Sequence, residues 1–380
     1  MYFDLNDEQR AIQETARQFL AARFKSERIR EIAASEEGTD EAGWREMSEL
    51  GWPGLALPEE WGGQGLGTVE LAVLFEEMGQ ALAPSPLFSN TAVGLTLAAG
   101  GSDEQKESHL RPLAEGTWRG TPALFDAGST ATPGAYGMSG RADGDGILLD
   151  GEKVLVPDAA GADFLLVATG DGRRHLVDSA ASGVTITPEE SIDQTRRLSS
   201  VRFEAVRVAP EATLPGHGAE FEPAFDVACV ALAAESTGVA QRALEMAVSY
   251  AKDRQQFGRP IGSYQAVSHR CAQMLLETEN SRSAVYGAAW AADAEPESLP
   301  RAAAAAKAYA SDAGWRVPDA SIQVHGGIGF TWEHDLHFFL KRGRANAALY
   351  GDARWHRERV AAAIFAGAAP LAAATVPAAS

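Results

Sequence analysis

Two short runs in the C-terminal half concentrate groups able to hold an anionic ligand. The first is Arg254-Gln255-Gln256-Phe257-Gly258-Arg259-Pro260-Ile261-Gly262, followed by Gln265. A guanidinium such as that of Arg254 can pair bidentately with a phosphate. The second is Gln323-Val324-His325-Gly326-Gly327-Ile328-Gly329-Phe330. Gln323 precedes Gly326 and Gly327, which lack the Cβ that would keep backbone away from a ligand. Two carboxylates could do proton chemistry, which needs a desolvated acid within reach of substrate. Asp352 follows Tyr350-Gly351 and precedes Arg354, His356, Arg357 and Arg359. Its plainer role is a helix N-terminal carboxylate facing the dipole. Glu235 lies in Ala233-Ala234-Glu235-Ser236, where a buried helix carboxylate usually pairs with a cation.

The elements that must position these groups change along the chain. Residues 6–118 read as helical. Asn6 with Gln9 resembles a capping box, and Ile12, Ala16, Phe19 and Leu20 keep helical spacing. A helix over 41–50 stops at Gly51, and a turn-rich loop covers 57–65. Another helix covers 69–79, with Pro84 and Pro86 beyond its end. From about 119 short apolar runs alternate with turns such as Asp143-Gly144-Asp145-Gly146 and Asp150-Gly151. The runs at 147–149, 154–156, 164–167, 184–186 and 201–203 predict strands of a compact antiparallel barrel. From about 218 long helices return, near 222–253, 264–292, 298–328 and 334–366, and predict a four-helix bundle. The expected architecture is therefore α+β and multidomain: an all-α domain over 1–118, a β-barrel over 119–217, a bundle over 218–368 and a disordered tail over 369–380.

Bulk properties exclude some classes. The 380 residues are 45% hydrophobic and 22% charged, enough for a large core. A net charge of -19 argues against nucleic acid. Cys229 and Cys271 form no CxxC or zinc pattern, so no metal is expected and both read as reduced core thiols. The N-terminus lacks a basic region with an apolar signal core, and no apolar stretch reads as long enough to span a bilayer. A soluble cytoplasmic protein is the expectation.

The Arg254 and Gln323 runs together resemble the flavin-binding signature of the acyl-CoA dehydrogenase family, and the order of domains resembles it from end to end. The resemblance implies FAD, an acyl-CoA thioester substrate, an electron-transfer flavoprotein as acceptor and a tetramer, either homomeric or α2β2. In that family a carboxylate removes the α-proton, the β-hydrogen leaves as hydride to flavin, and hydrogen bonds to the thioester carbonyl stabilise the enolate. It also implies that Arg254, Gln256, Phe257, Gln265, Gln323, Gly326 and Gly327 contact the adenosine-diphosphate side of a flavin whose ring sits in a neighbouring subunit.

The chain departs from the family pattern at the two usual base positions, which fall on Gly351 and Ala228. On the ring side Gly151-Glu152-Lys153 is kept, but Leu155 stands for a tryptophan and Pro157 for a threonine. Leucine has no aromatic face and proline no N–H. This pattern resembles the non-catalytic subunit of the heteromeric α2β2 acyl-CoA dehydrogenases of bacterial steroid side-chain degradation. Two other expectations stand beside it: a self-sufficient dehydrogenase using Asp352 or Glu235 as base, and a flavin-free acyl-CoA-binding or scaffold protein on the same fold; nothing in the sequence favours a flavin monooxygenase.

Overall fold

The computed structural model describes residues 4–35, 38–128, 134 and 136–366. The N-terminal part is helical: α1 (Asp7–Arg23), α2 (Ser26–Ala34), α3 (Glu41–Glu49), α4 (Thr68–Ala81) and α5 (Leu87–Gly100). Two short pieces, α6 (Asp103–Gln105) and α7 (Arg111–Ala114), flank a π-turn over Lys106–Leu110. The cap of α1 forms reciprocally: Gln9 N–H donates to Asn6 Oδ1 at 2.8 Å and Asn6 N–H to Gln9 Oε1 at 3.0 Å. Ala16 and Leu20 are the buried face of α1, as their spacing requires.

The middle of the chain holds β1 (Gly120–Ala123), β2 (Phe125–Asp126), β3 (Gly140–Asp143), β4 (Gly146–Pro157), β5 (Phe164–Ala168), β6 (Arg174–Asp178), β7 (Val184–Glu189) and β8 (Leu198–Val208). The expected antiparallel barrel is corrected here. Among the described residues the strands form two sheets, β1-β5-β6 and β2-β4-β8-β7 with β3 on β4, and β1 runs parallel to β5. The reason lies in β5, whose five residues are all buried. Leu165 and Val167 face the sheet core, whereas Phe164 and Leu166 face a second core shared with α5 and α7. A strand covered on both faces is the usual setting for parallel pairing.

A second correction concerns Asp150-Gly151. The turn expected there is a bulge within one twelve-residue strand, β4, whose register against β8 shifts between Leu149 and Gly151 and again between Lys153 and Val156. Asp150 Oδ1 accepts the Ala205 N–H at 2.7 Å, so the side chain holds the neighbouring strand instead of reversing the chain. The turn at Gly144-Asp145 does form, joining β3 to β4.

The C-terminal part is built around α8 (Glu222–Asp253), which is flanked by α4, α9 (Gln265–Ala294) and α10 (Leu299–His325). A small hairpin, β9 (Gln255–Gln256) and β10 (Arg259–Pro260), joins α8 to α9. The single helix expected over 334–366 is two, α11 (Leu336–Ala348) and α12 (Ala353–Ala366), broken at 349–352. The stretch Gly218–Asp253 also corrects the expectation that no apolar stretch could span a bilayer. It passes by length and by its mean hydropathy of 1.2, but 83% of that window is buried inside the fold. It is the central helix of the core. The disordered tail expected over 369–380 lies outside the described residues.

Candidate functional site

Two separate places carry the residues singled out by sequence. At one end of the bundle, the chain leaves α8 through Arg254 and turns at once into the β9–β10 hairpin. The turn residue Phe257 has φ +51, and its ring is 92% exposed. Ile261 N–H donates to the Arg254 carbonyl at 2.8 Å, closing the hairpin, and Tyr264 Oη donates to the Gln256 carbonyl at 3.1 Å. Gln265 opens α9 beside it. The Arg254 side chain is exposed and makes no ion pair among the described residues.

The second run ends α10. Gln323 is exposed on its last turn, and Gly326 breaks the helix with φ 64 and ψ -139, a conformation essentially restricted to glycine. A Cβ on Gly326 or Gly327 would meet nothing within 4 Å. Beyond them Phe330 and Trp332 are 79% and 63% exposed. His325 brings the two runs into register. Its ring stacks on Tyr250, one turn before Arg254, at 4.4 Å, and its Nδ1 donates to the Ser321 carbonyl at 2.8 Å. Burial pushes the His325 pKa down, so the ring is a neutral packing element.

The second place is a cleft of about 320 Å³ between α5, the β1-β5-β6 sheet, the start of α8 and the 350–359 segment. The two positions that the resemblance marks for a base fall at or beside it. Ala228 lines the cleft; Gly351 adjoins Tyr350, which also lines it. The break that shapes this wall is held from several sides. Tyr350 has φ +59 and stacks on Phe225 at 5.2 Å. Its carbonyl accepts the His356 Nε2–H at 2.9 Å. Buried Lys307 donates to the carbonyls of Asn346 (3.0 Å) and Gly351 (3.3 Å) and to Ser311 Oγ (2.9 Å). Burial lowers the Lys307 pKa to about 8 and that of His356 to about 3.

Neither candidate carboxylate reaches this cleft. Asp352 is exposed, and its Oδ1 accepts the Trp355 N–H at 2.8 Å; it caps α12. Glu235 is buried between two guanidinia. Arg196 Nη2 donates to Oε2 at 2.7 Å, and Arg342 Nη1 donates to Oε1. Arg342 also binds Asp193 at 2.6 Å, and Arg196 binds Asn346 Oδ1 at 2.7 Å. Burial alone would raise the Glu235 pKa, but Arg196 and Arg342 hold it below the ordinary carboxylate value. Among the lining residues Glu222 is the one carboxylate. It sits at the rim, 62% exposed at its side chain and 3.6 Å from Arg359. It begins α8, six positions before Ala228, roughly 9 Å along the axis.

On the sheet side, Leu155 has φ +55, and the carbonyl of Pro157 accepts the Thr121 hydroxyl. Lys153 is fully buried and donates to Asp126 Oδ1 at 2.7 Å and to the Leu124 carbonyl at 3.0 Å, tying β4 to β2. Sequence reasoning passed over Arg174, which lines the cleft and is buried. Its only signal was the Arg173-Arg174 pair after Asp171-Gly172, which reads as an ordinary polar turn.

Helical N-terminal part, middle sheets and helical C-terminal part, with one end exposing Arg254 and Gln323, define a recognisable class. Residues 6–117 match the model of the acyl-CoA dehydrogenase N-terminal domain, and residues 220–365 that of the C-terminal domain. The acyl-CoA dehydrogenase IpdE2 of Mycolicibacterium smegmatis is 33% identical, covering 95% of this chain and 100% of its own length. Among solved structures, the Tcur3481-Tcur3483 steroid ACAD G363A variant is 35% identical with a TM-score of 0.86, covering 95% of this chain and 98% of that one. The ChsE4-ChsE5 complex from Mycobacterium tuberculosis is 25% identical with a TM-score of 0.89, covering 97% and 100%. The chain belongs to the acyl-CoA dehydrogenase family, oxidoreductases acting on acyl-CoA, a family that generally binds FAD.

Proposed function

We propose that this chain is the base-less subunit of a heteromeric acyl-CoA dehydrogenase. It lends the adenosine-diphosphate half of an FAD site to a partner that supplies the ring pocket and the catalytic carboxylate. The observation that carries this reading is the cleft wall. The two positions where the family keeps a base hold Ala228 and Gly351, and Trp355 lies against Gly351, where a Cβ would come within 2.5 Å of Cε3.

The residues at the bundle end fit a cofactor. Arg254 is exposed with no ion-pair partner among the described residues, able to face a pyrophosphate. Gly326 and Gly327 leave open space where ligand atoms could approach backbone. Gln256 and Phe257 stand exposed in the hairpin, Gln265 at the start of α9 and Gln323 on the last turn of α10. The ring side does not fit equally: Leu155 offers no aromatic face and Pro157 no N–H. When bound, FAD supplies the acceptor for the β-hydride. Arg254 would hold the pyrophosphate and Phe257 would pack at the adenine end.

Two features of similar proteins support the subunit reading. One similar structure is the Tcur3481-Tcur3483 steroid ACAD G363A variant and another is the ChsE4-ChsE5 complex. The resulting assembly is an α2β2 tetramer acting on an acyl-CoA, with an electron-transfer flavoprotein as acceptor. The self-sufficient alternative needs Asp352 or Glu235 as base; one caps a helix in solvent and the other is neutralised by two arginines.

The test is flavin content from visible absorbance, measured on the purified chain and on the chain co-expressed with a base-bearing family member. The expected result is almost no flavin alone and stoichiometric flavin in the complex, lost again in Arg254→Ala. One flavin per chain and full turnover by this chain alone would overturn the proposal.

A further inference from the structure

The cleft contains an arginine that makes no ion pair among the described residues. Arg174 opens β6 and is 7% exposed. Its guanidinium lies over the Tyr136 ring at 4.8 Å and over the Phe221 ring at 5.0 Å. Its Nη1 donates to the Arg173 carbonyl at 3.0 Å, the one hydrogen bond its side chain makes among the described residues. It makes no ion pair among them. A guanidinium carries five N–H donors, so most of its capacity is unused.

The contrast with the other arginines is informative. Arg359 also lines the cleft, but Asp226 binds it at 2.7 Å and 3.2 Å. Arg196 and Arg342 share Glu235. The nitrogens of Arg174 are not among the buried atoms sealed off without a partner, so they open on the cleft. Burial pushes its pKa below the ordinary arginine value, with no carboxylate in contact to restore it. Cation–π contacts with two rings orient the group, yet they do not supply the in-plane acceptors that a planar fork requires.

We infer that Arg174 anchors an anion-binding site in this cleft, taking the paired oxygens of a carboxylate or phosphate on a ligand whose apolar body lies against Phe221, Phe225 and Tyr350. The inference rests on reading the cleft as this chain's acyl-ligand pocket, and it is independent of the subunit assignment. Taken together with the base-less subunit reading it implies binding without turnover, because the ligand is held beside Ala228. The cleft volume of about 320 Å³ suits a small ring or short branched chain.

Isothermal titration calorimetry on the full chain tests this with three probes: cyclohexanecarboxylate, its neutral amide, and coenzyme A. The carboxylate is expected to bind and the amide to bind at least tenfold more weakly. Arg174→Gln should weaken carboxylate binding at least tenfold, and Arg174→Lys should retain part of it. If coenzyme A binds in an Arg174-dependent way and the carboxylate does not, the anion is the coenzyme's phosphate and the site stands. Wild-type chain that binds neither anion overturns the inference without recourse to a variant that might misfold, and carboxylate binding no tighter than the amide's, together with coenzyme A binding that Arg174→Gln leaves unchanged, overturns it as well. Arg254→Ala should leave these affinities unchanged while emptying the complex of flavin, so the two proposals fail separately.

Discussion

The indole of Trp355 lies where a side chain on Gly351 would have to go. A Cβ built on Gly351 comes 2.5 Å from Cε3 and 3.0 Å from Cζ3 of that ring, and Gly351 itself has φ +92. The glycine is thus required twice, by backbone conformation and by packing.

Restoring the glutamate should therefore fail. Gly351→Glu is expected to give no dehydrogenase activity and to lose about 1–3 kcal/mol of stability or more, through overpacking and an unfavourable φ. Adding Trp355→Ala should recover part of the melting temperature. Thermal melts and turnover with a range of acyl-CoA substrates check this; a stable, active Gly351→Glu chain would show that the wall is not closed.

Glu235 should behave as a structural ion. Glu235→Ala leaves Arg196 and Arg342 buried with a charge uncompensated, which costs on the order of 3–5 kcal/mol. Glu235→Gln should cost less, because its amide oxygen still accepts from one guanidinium. Urea unfolding gives the comparison. A base role would instead appear as lost turnover of the flavin-loaded complex at unchanged stability.

Asp352 should matter only as a cap. Asp352→Ala is expected to cost about 1 kcal/mol and Asp352→Asn almost nothing, since asparagine also caps well. Turnover of the complex should survive both. Turnover abolished in Asp352→Asn with flavin content intact would return Asp352 to the active site.

Asp158 should make stability depend on pH. It is buried, held by the Ser89 hydroxyl at 2.7 Å, and burial raises its pKa from 3.8 to about 6. A carboxyl whose folded pKa lies above its unfolded one binds its proton more tightly when folded. Its contribution is therefore neutral below about pH 4, becomes a growing cost from about pH 4 to 6, and stays level above. Asp158→Asn should stabilise the protein above pH 6 by on the order of 1–3 kcal/mol, with the gain vanishing near pH 4. A gain that is the same at pH 4 and pH 8 would refute the ionisation argument.

Local signals in the chain were legible where a few neighbouring residues decide the outcome. The Asn6–Gln9 cap, the Gly144-Asp145 turn and the span of α8 each depend on interactions within a few positions. Elements that depend on distant partners were not. The 334–366 helix looks continuous in sequence, but Tyr350 is drawn into a left-handed conformation by Phe225, Lys307 and His356, and the helix breaks there. Asp150-Gly151 has turn chemistry, yet Ala205 on β8 takes up the carboxylate and the strand continues.

The site divides the same way. The chemistry available at 228, 351, 155 and 157 could be read from sequence, because lacking a carboxylate or an N–H is a property of the residue alone. Which remaining groups are free was decided only by the fold. Glu235 meets Arg196 and Arg342 across 39 and 107 positions of chain, while Arg174, among the described residues, meets no acid. Charge compensation acts through space over a few ångströms, and sequence separation carries almost no information about it.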